Sequence, residues 1–131
     1  MMALSDIRDF IDALGIADHV YQSKMDAKKE KSIGVYNSKH SSKYKTAIGG
    51  AELKSYGIKH VTFLVHWNKS PRDTENASVS LFEKLGAVRE EQINNKTIKF
   101  IQLLNEEPVD VGTDEDGVYE MVIEAAVIYA K

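Results

Sequence analysis

The chain contains no cysteine, which excludes a disulfide framework, a thiolate metal site and a cysteine nucleophile together. It also has no long apolar run. Its first residues, MMALSDIRDFIDALG, lack the apolar core of an export signal, and no stretch approaches the ~20 apolar residues that span a bilayer. A soluble, unexported protein with no membrane partner is therefore expected, and a cysteine-free chain suits a reducing cytoplasm. A basic excess is missing too. With a formal net charge of −3, nothing draws the whole molecule toward nucleic acid or an acidic membrane, so any such binding has to be local.

Motifs of catalysis are also absent: there is no GxSxG elbow, HExxH helix, GxxxxGK[ST] phosphate loop or GxGxxG fingerprint. Of the four histidines, His60 and His66 share a strand face, but six residues at ~3.3 Å rise put them about 20 Å apart, too far to hold one ion. His66, beside Trp67, reads as a buried or interfacial side chain rather than a base. His19 and His40 have no serine or carboxylate at a motif spacing, although triads are also assembled from distant positions. The acids Asp114, Glu115 and Asp116 before Gly117 invite a calcium loop. Aligned with Gly117 at the sixth position, the first position is Gly112 and the twelfth Ile123, so both ends lack a ligand. The triplets at Asn68, Asn76 and Asn95 match the glycosylation pattern but lack an export signal. The reading is that the chain has no catalytic residue, no metal ligand and no cofactor.

What is present fits one domain over residues 1–131, since a chain of this length with 43% hydrophobic residues makes a single core. Ser5 is placed to cap a short helix with Ile7, Phe10, Ile11 and Leu14 on one face and Gly15 as its left-handed stop. Strands are expected over 19–25 and 32–37. The most persuasive strand is 57–68, with Val61, Phe63, Val65 and Trp67 on one face and Ile58, His60, Thr62, Leu64 and His66 on the other. A long helix follows, capped by Ser70, with Pro71 in its first turn, Asp73 and Glu75 at its positive end, and Val79, Phe82 and Leu85 as its buried stripe. Asn94-Asn95-Lys96 reads as a turn into the strand TIKFIQLL, which Pro108 closes. The last strand covers 118–130 and is apolar on both sides, with Met121, Ile123, Ala125, Val127 and Tyr129 against Val122, Ala126 and Ile128. The fold class is α+β: a mainly antiparallel β-sheet with the long helix packed on one face and the short N-terminal helix. A monomer of this size struggles to cover both faces of such a strand, which favours subunit contacts.

Charge is segregated along the chain. Residues 24–45 hold seven lysines against Asp26 and Glu30, whereas residues 106–124 hold eight acids and no Lys or Arg. Two solvated surfaces, or two complementary patches that meet between subunits, both fit this pattern. On the second reading Lys39, Lys43 and Lys45, in the polar loop 38–50, face Asp114, Glu115 and Asp116 of a neighbouring copy. The same lysines with Tyr44 are the only footing for nucleic-acid binding, and a base-reading helix rich in arginine is missing.

Three phrases together resemble the tail-terminator family of long-tailed bacteriophages, also labelled minor capsid or tail-completion proteins. They are KSIGVYN, HVTFLVHWNKSPRDTENASVSLFEKL, and TIKFIQLLNEEPVDVGTDEDGVYEMVIEAAVIYA, where Pro108, Gly112, Asp114, Glu115 and Gly117 precede a long terminal strand. The likeness runs over 4–130. Relatives often carry an arginine late in the central strand; His66-Trp67 stands there, so no ion pair is carried over. The resemblance implies a structural protein that forms a homohexameric ring on the head-proximal end of the tail tube. Such a ring stops tube growth, offers a docking face to the head connector or completion protein, and passes DNA without reading its sequence. The implied location is the virion, with assembly in the bacterial host cytoplasm. A head-completion, connector or minor capsid subunit is the neighbouring alternative. A small metal-assisted hydrolase or a nucleic-acid-binding accessory protein is the alternative of another class.

Overall fold

The apolar segment that ends the chain becomes the longest strand of the molecule in a computed structural model, which describes residues 1–38 and 55–131. The elements run α1 (Leu4–Ala13), β1 (His19–Gln22), β2 (Ser32–Asn37), β3 (Tyr56–His66), α2 (Pro71–Gly86), β4 (Glu91–Ile93), β5 (Lys96–Leu103), β6 (Val109–Thr113) and β7 (Tyr119–Ala130). Among the described residues the strands form one curled, half-barrel sheet in the order β1-β2-β3-β7-β5-β4, with β6 also on β7. Only β1 and β2 are parallel. β7 is the spine. One of its edges pairs with the whole of β3, from Tyr56 opposite Ala130 to His66 opposite Glu120. Its other edge is shared, with β5 on the C-terminal half and β6 on the N-terminal half.

Both helices cover the same sheet face, because the core takes Val61, Phe63 and Val65 from β3 and Ile123, Ala125 and Val127 from β7 together with Ile7, Ile11, Leu81 and Leu85 from the helices. The α+β class with a mainly antiparallel sheet therefore holds, but the helix expected to be long has sixteen residues, roughly 24 Å at the ordinary rise. Its buried stripe also differs from the expected one. Thr74, Ala77, Ser78, Leu81 and Leu85 face the core, while Val79 is 37% exposed and Phe82 is half-buried. Two small polar residues can line a core here because each satisfies its hydroxyl on the helix itself: Thr74 Oγ1 donates to the Ser70 carbonyl at 2.9 Å and Ser78 Oγ to the Thr74 carbonyl at 2.7 Å.

The N-terminal helix begins one residue before its expected cap. Ala3, not Ser5, is the cap residue, and the Asp6 carboxylate accepts the Ala3 backbone N–H at 2.9 Å, so the reciprocal half of a capping box holds the first turn. Gly15 ends the helix with φ +70° as expected. The 19–25 strand stops at Gln22, since Ser23 turns to φ +64°. Asn94 and Asn95, at φ +49° and +62°, make the two-residue hairpin turn between β4 and β5.

On the helix-free face, β7 needs less outside help than its sequence suggests. Ala126 and Ile128 are buried within the chain, and exposure falls on the flanking residues of the same cross-strand row, Ile58 at 43% and Phe100 at 42%, both opposite Ile128.

Two predictions test this frame. The Tyr129 ring lies over Gly57, its opposite on β3, so closely that a Cβ there would sit 2.4 Å from a ring atom. Gly57→Ala should cost about 1–3 kcal/mol in urea unfolding, and Tyr129→Leu in the same chain should recover part of the loss; an unchanged midpoint in the single variant would refute the contact. The second concerns the polar clasp between α1 and the β4–β5 turn. Lys96 bonds the Asp6 carboxylate and holds its pKa at about 2; partial burial opposes this, and Asn94 and the Ala3 N–H add to it. A carboxylate whose pKa is lower folded than unfolded stabilises above its unfolded value and loses that contribution as pH falls through the folded one. Lys96→Met should therefore cost about 1 kcal/mol at neutral pH, after screening around the half-exposed lysine. It should also flatten the fall in stability between about pH 5 and pH 2.

Candidate functional site at the acidic hairpin

The quoted acids sit at the tip of the β6–β7 hairpin, where the backbone fixes their roles. Asp114 Oδ1 accepts the N–H groups of Asp116 and Val118, each at 2.9 Å, while the Asp114 N–H donates to the Val118 carbonyl and Gly117 takes φ +81°. This is an Asx turn. The Val118 N–H is the main cause of a pKa for Asp114 below the usual carboxylate range, opposed by partial burial and helped by the Asp116 N–H, the charge of His66 and the Gly117 N–H. Asp114, expected at a subunit interface with Glu115 and Asp116, thus has its carboxylate occupied by its own turn. Glu115 and Asp116 stay exposed.

Below the turn lies the one strongly buried ionisable group of the region. His66 is fully buried at the end of β3. Its Nε2 meets the Ala27 carbonyl at 2.9 Å, and its Nδ1 meets Glu120 Oε2 at 2.9 Å with Asp114 Oδ2 at 3.8 Å. A backbone carbonyl only accepts, and so does an ionised carboxylate. The ring therefore bridges the Ala27 carbonyl and the Glu120 carboxylate, one on each nitrogen. The Tyr36 phenol, on β2, has its pKa raised by burial and then by Glu120.

This node joins parts that are distant in sequence. It ties the loop 23–31, through Ala27, to β3 and to the hairpin, and the Lys31 N–H bonds the Trp67 carbonyl beside it at 2.7 Å. Lys24, Lys28, Lys29 and Lys31 lie on that loop. The node thus brings the loop carrying four of the seven lysines toward the hairpin, while none of these four is in an ion pair among the described residues. The rest of the run, with Lys39, Lys43, Lys45, Tyr44 and His40, lies outside the described residues.

Beside the hairpin lies a cleft of about 440 Å³ between α2 and the start of the hairpin. Pro71, Glu75 and Val79, four residues apart on one stripe of α2, form one wall; Pro108, Asp110 and Met121 form much of the other. Glu107 and Glu120 line it as well, and among the described residues no Lys or Arg does. The outer strand β6 is exposed at all five residues and bulges at Val111, where Gly112 takes φ +88° and its N–H donates to Asp110 Oδ1 at 2.8 Å.

Among the described residues no three His, Asp or Glu side chains are grouped to hold a metal ion, and no helix is long and apolar enough to cross a membrane. His19 stacks on Tyr21 with ring centroids 6.1 Å apart, away from His66 on another strand.

The histidine node gives a direct test. His66→Ala should cost about 1–3 kcal/mol, since it strands the Ala27 carbonyl and Glu120. An unchanged urea midpoint in His66→Ala would overturn the pairing.

A family model described as bacteriophage tail terminator protein matches residues 10–131. No match is found among curated proteins or among solved structures.

Proposed function

The chain belongs to the bacteriophage tail terminator family and is a structural component of the phage tail; from that premise we propose that its copies close into a ring, six in number, on the head-proximal end of the tail tube. The ring stops tube polymerisation and presents a docking face to the head connector or completion protein. DNA passes through it without sequence recognition. Assembly takes place in the host cytoplasm and the product stays in the virion.

The observation that carries this reading is the family match, which takes in every strand of the sheet, all of α2 and the end of α1. Two physical features support it. A closed ring needs a heterologous contact, one patch meeting a different patch on the next copy, and this chain offers exposed acids at Glu115 and Asp116 against the lysines Lys39, Lys43 and Lys45 of the sequence. Apolar residues Val79, Val109 and Val111 are exposed besides, so buried area as well as charge is available to an interface.

In the parent phage, deleting the gene should leave tail tubes of unregulated length that fail to join heads, as electron micrographs would show; tubes of normal length would sink the proposal. The contact itself is tested by sedimentation. Exposed ion pairs are worth only ~0–1 kcal/mol each, so they set register and association rate more than affinity. Replacing Lys39, Lys43 and Lys45 with glutamate should slow and weaken assembly, and Glu115→Lys with Asp116→Lys in the same chain should partly restore it. Asp114 is left intact in the rescue because its carboxylate holds the turn.

A further inference from the structure

Val79 is the anomaly that leads beyond this reading. A β-branched side chain on a helix that buries Thr74 and Ser78 is left 37% exposed, so the fold of the single chain makes little use of it. It stands instead with Pro71 and Glu75 on the cleft side of α2, facing Pro108 and Met121 across the cleft. That gives an apolar floor. The rim is of one sign, Glu75, Glu107 and Asp110 beside the Glu120 that meets His66, and among the described residues no Lys or Arg lines the cleft. Glu75 and Glu107 take part in no ion pair among the described residues. An apolar floor inside an acidic rim suits a partner that brings an apolar side chain flanked by lysine or arginine.

We propose that this cleft is the acceptor half of the contact between neighbouring copies of the chain. The inference rests on the ring reading and adds the surface that receives the next subunit. Charge complementarity points to a second copy: the chain holds seven lysines in residues 24–45 and eight acids with no Lys or Arg in residues 106–124, where one wall of the cleft is made. The neighbouring strand β6 does not act as an open template for strand addition. It is short and bulged, and Asp110 sits on it, the devices that keep a sheet edge from pairing indiscriminately. Recognition is therefore by side chains entering the cleft, which gives one register, rather than by a ladder of backbone bonds that could slide.

The test uses the purified full chain in three forms, followed by sedimentation velocity over a concentration series. Val79→Glu adds a charge to the floor at a position exposed in the single chain, and Glu75→Lys with Glu107→Lys reverses the rim without touching the floor. Phe100→Ser on the helix-free face is the control. Both cleft variants should weaken self-association about tenfold or more with an unchanged urea midpoint, and the control should assemble like the unmodified chain. Undiminished assembly in both cleft variants would overturn the inference and leave the ring reading standing, as would loss confined to Phe100→Ser. Cleft variants that assemble normally but no longer bind preformed tail tubes would assign the cleft to the tube and likewise overturn it. An unmodified chain that sediments as a single copy at every concentration, with or without tubes, would remove the ring reading itself.

Discussion

The pairing of β3 with β7 is the constraint on which everything else depends. Eleven consecutive residue pairs run antiparallel from Tyr56 opposite Ala130 to His66 opposite Glu120, joining segments separated by half the chain. Period-two alternation then decides the rest. With Val61, Phe63 and Val65 on one face and Ile123, Ala125 and Val127 beside them, both helices have to lie on that face to bury them. Because β3 occupies one edge of β7 along its whole length, β5 and β6 divide the other edge, and the β6–β7 hairpin projects beside the N-terminal turn of α2. The cleft is a consequence of that division.

The same register makes the histidine node. His66 and Glu120 are the last pair of the ladder, so their side chains share a face and come within 2.9 Å. A one-residue slip would turn His66 toward the helices and leave an unpaired ring in an apolar core. The node thus has a physical role in fixing register, and it recruits the loop 23–31 through the Ala27 carbonyl. Where relatives were expected to carry an arginine, this chain forms a hydrogen-bonded pair, between His66 and Glu120. No sequence argument carried that pair over, because Glu120 lies 54 positions from His66.

Much of the frame was legible beforehand, and for clear reasons. Alternation over 57–68 and 118–130 is long enough to specify strands, Ser70-Pro71 with Asp73 marks a helix start, and Asn94-Asn95 supplies the two left-handed residues of a tight hairpin. The failures are equally physical. The α2 stripe was read from large apolar residues, but a helix packed on a sheet also buries small hydroxyl residues that bond their own backbone, and that rotated the stripe from Val79 to Thr74, Ser78 and Leu81. Ser5 looks like a cap because it precedes an apolar period, yet the carboxylate of Asp6 captures the Ala3 N–H and moves the start upstream.

These corrections bear on how the molecule presents itself to a neighbour. Charge segregation in sequence fits two solvated surfaces or two patches that meet between subunits, and the node at His66 draws the loop carrying Lys24, Lys28, Lys29 and Lys31 up to the hairpin with none of them in an ion pair among the described residues. Acids near the hairpin that remain for an outside partner include Glu115 and Asp116 at the tip, and Glu75 and Glu107 at the cleft. Surface charges of this kind act over a Debye length of about 8 Å and add little affinity singly. A specific contact therefore needs an apolar anchor among them, as hot-spot energetics require. Val79 satisfies that requirement on α2, held at a fixed height above Met121 by the same helix-on-sheet packing that buries Leu81 and Leu85. A rigid helix and a twelve-residue strand frame the cleft, so its shape is set before a partner arrives and little ordering entropy opposes docking.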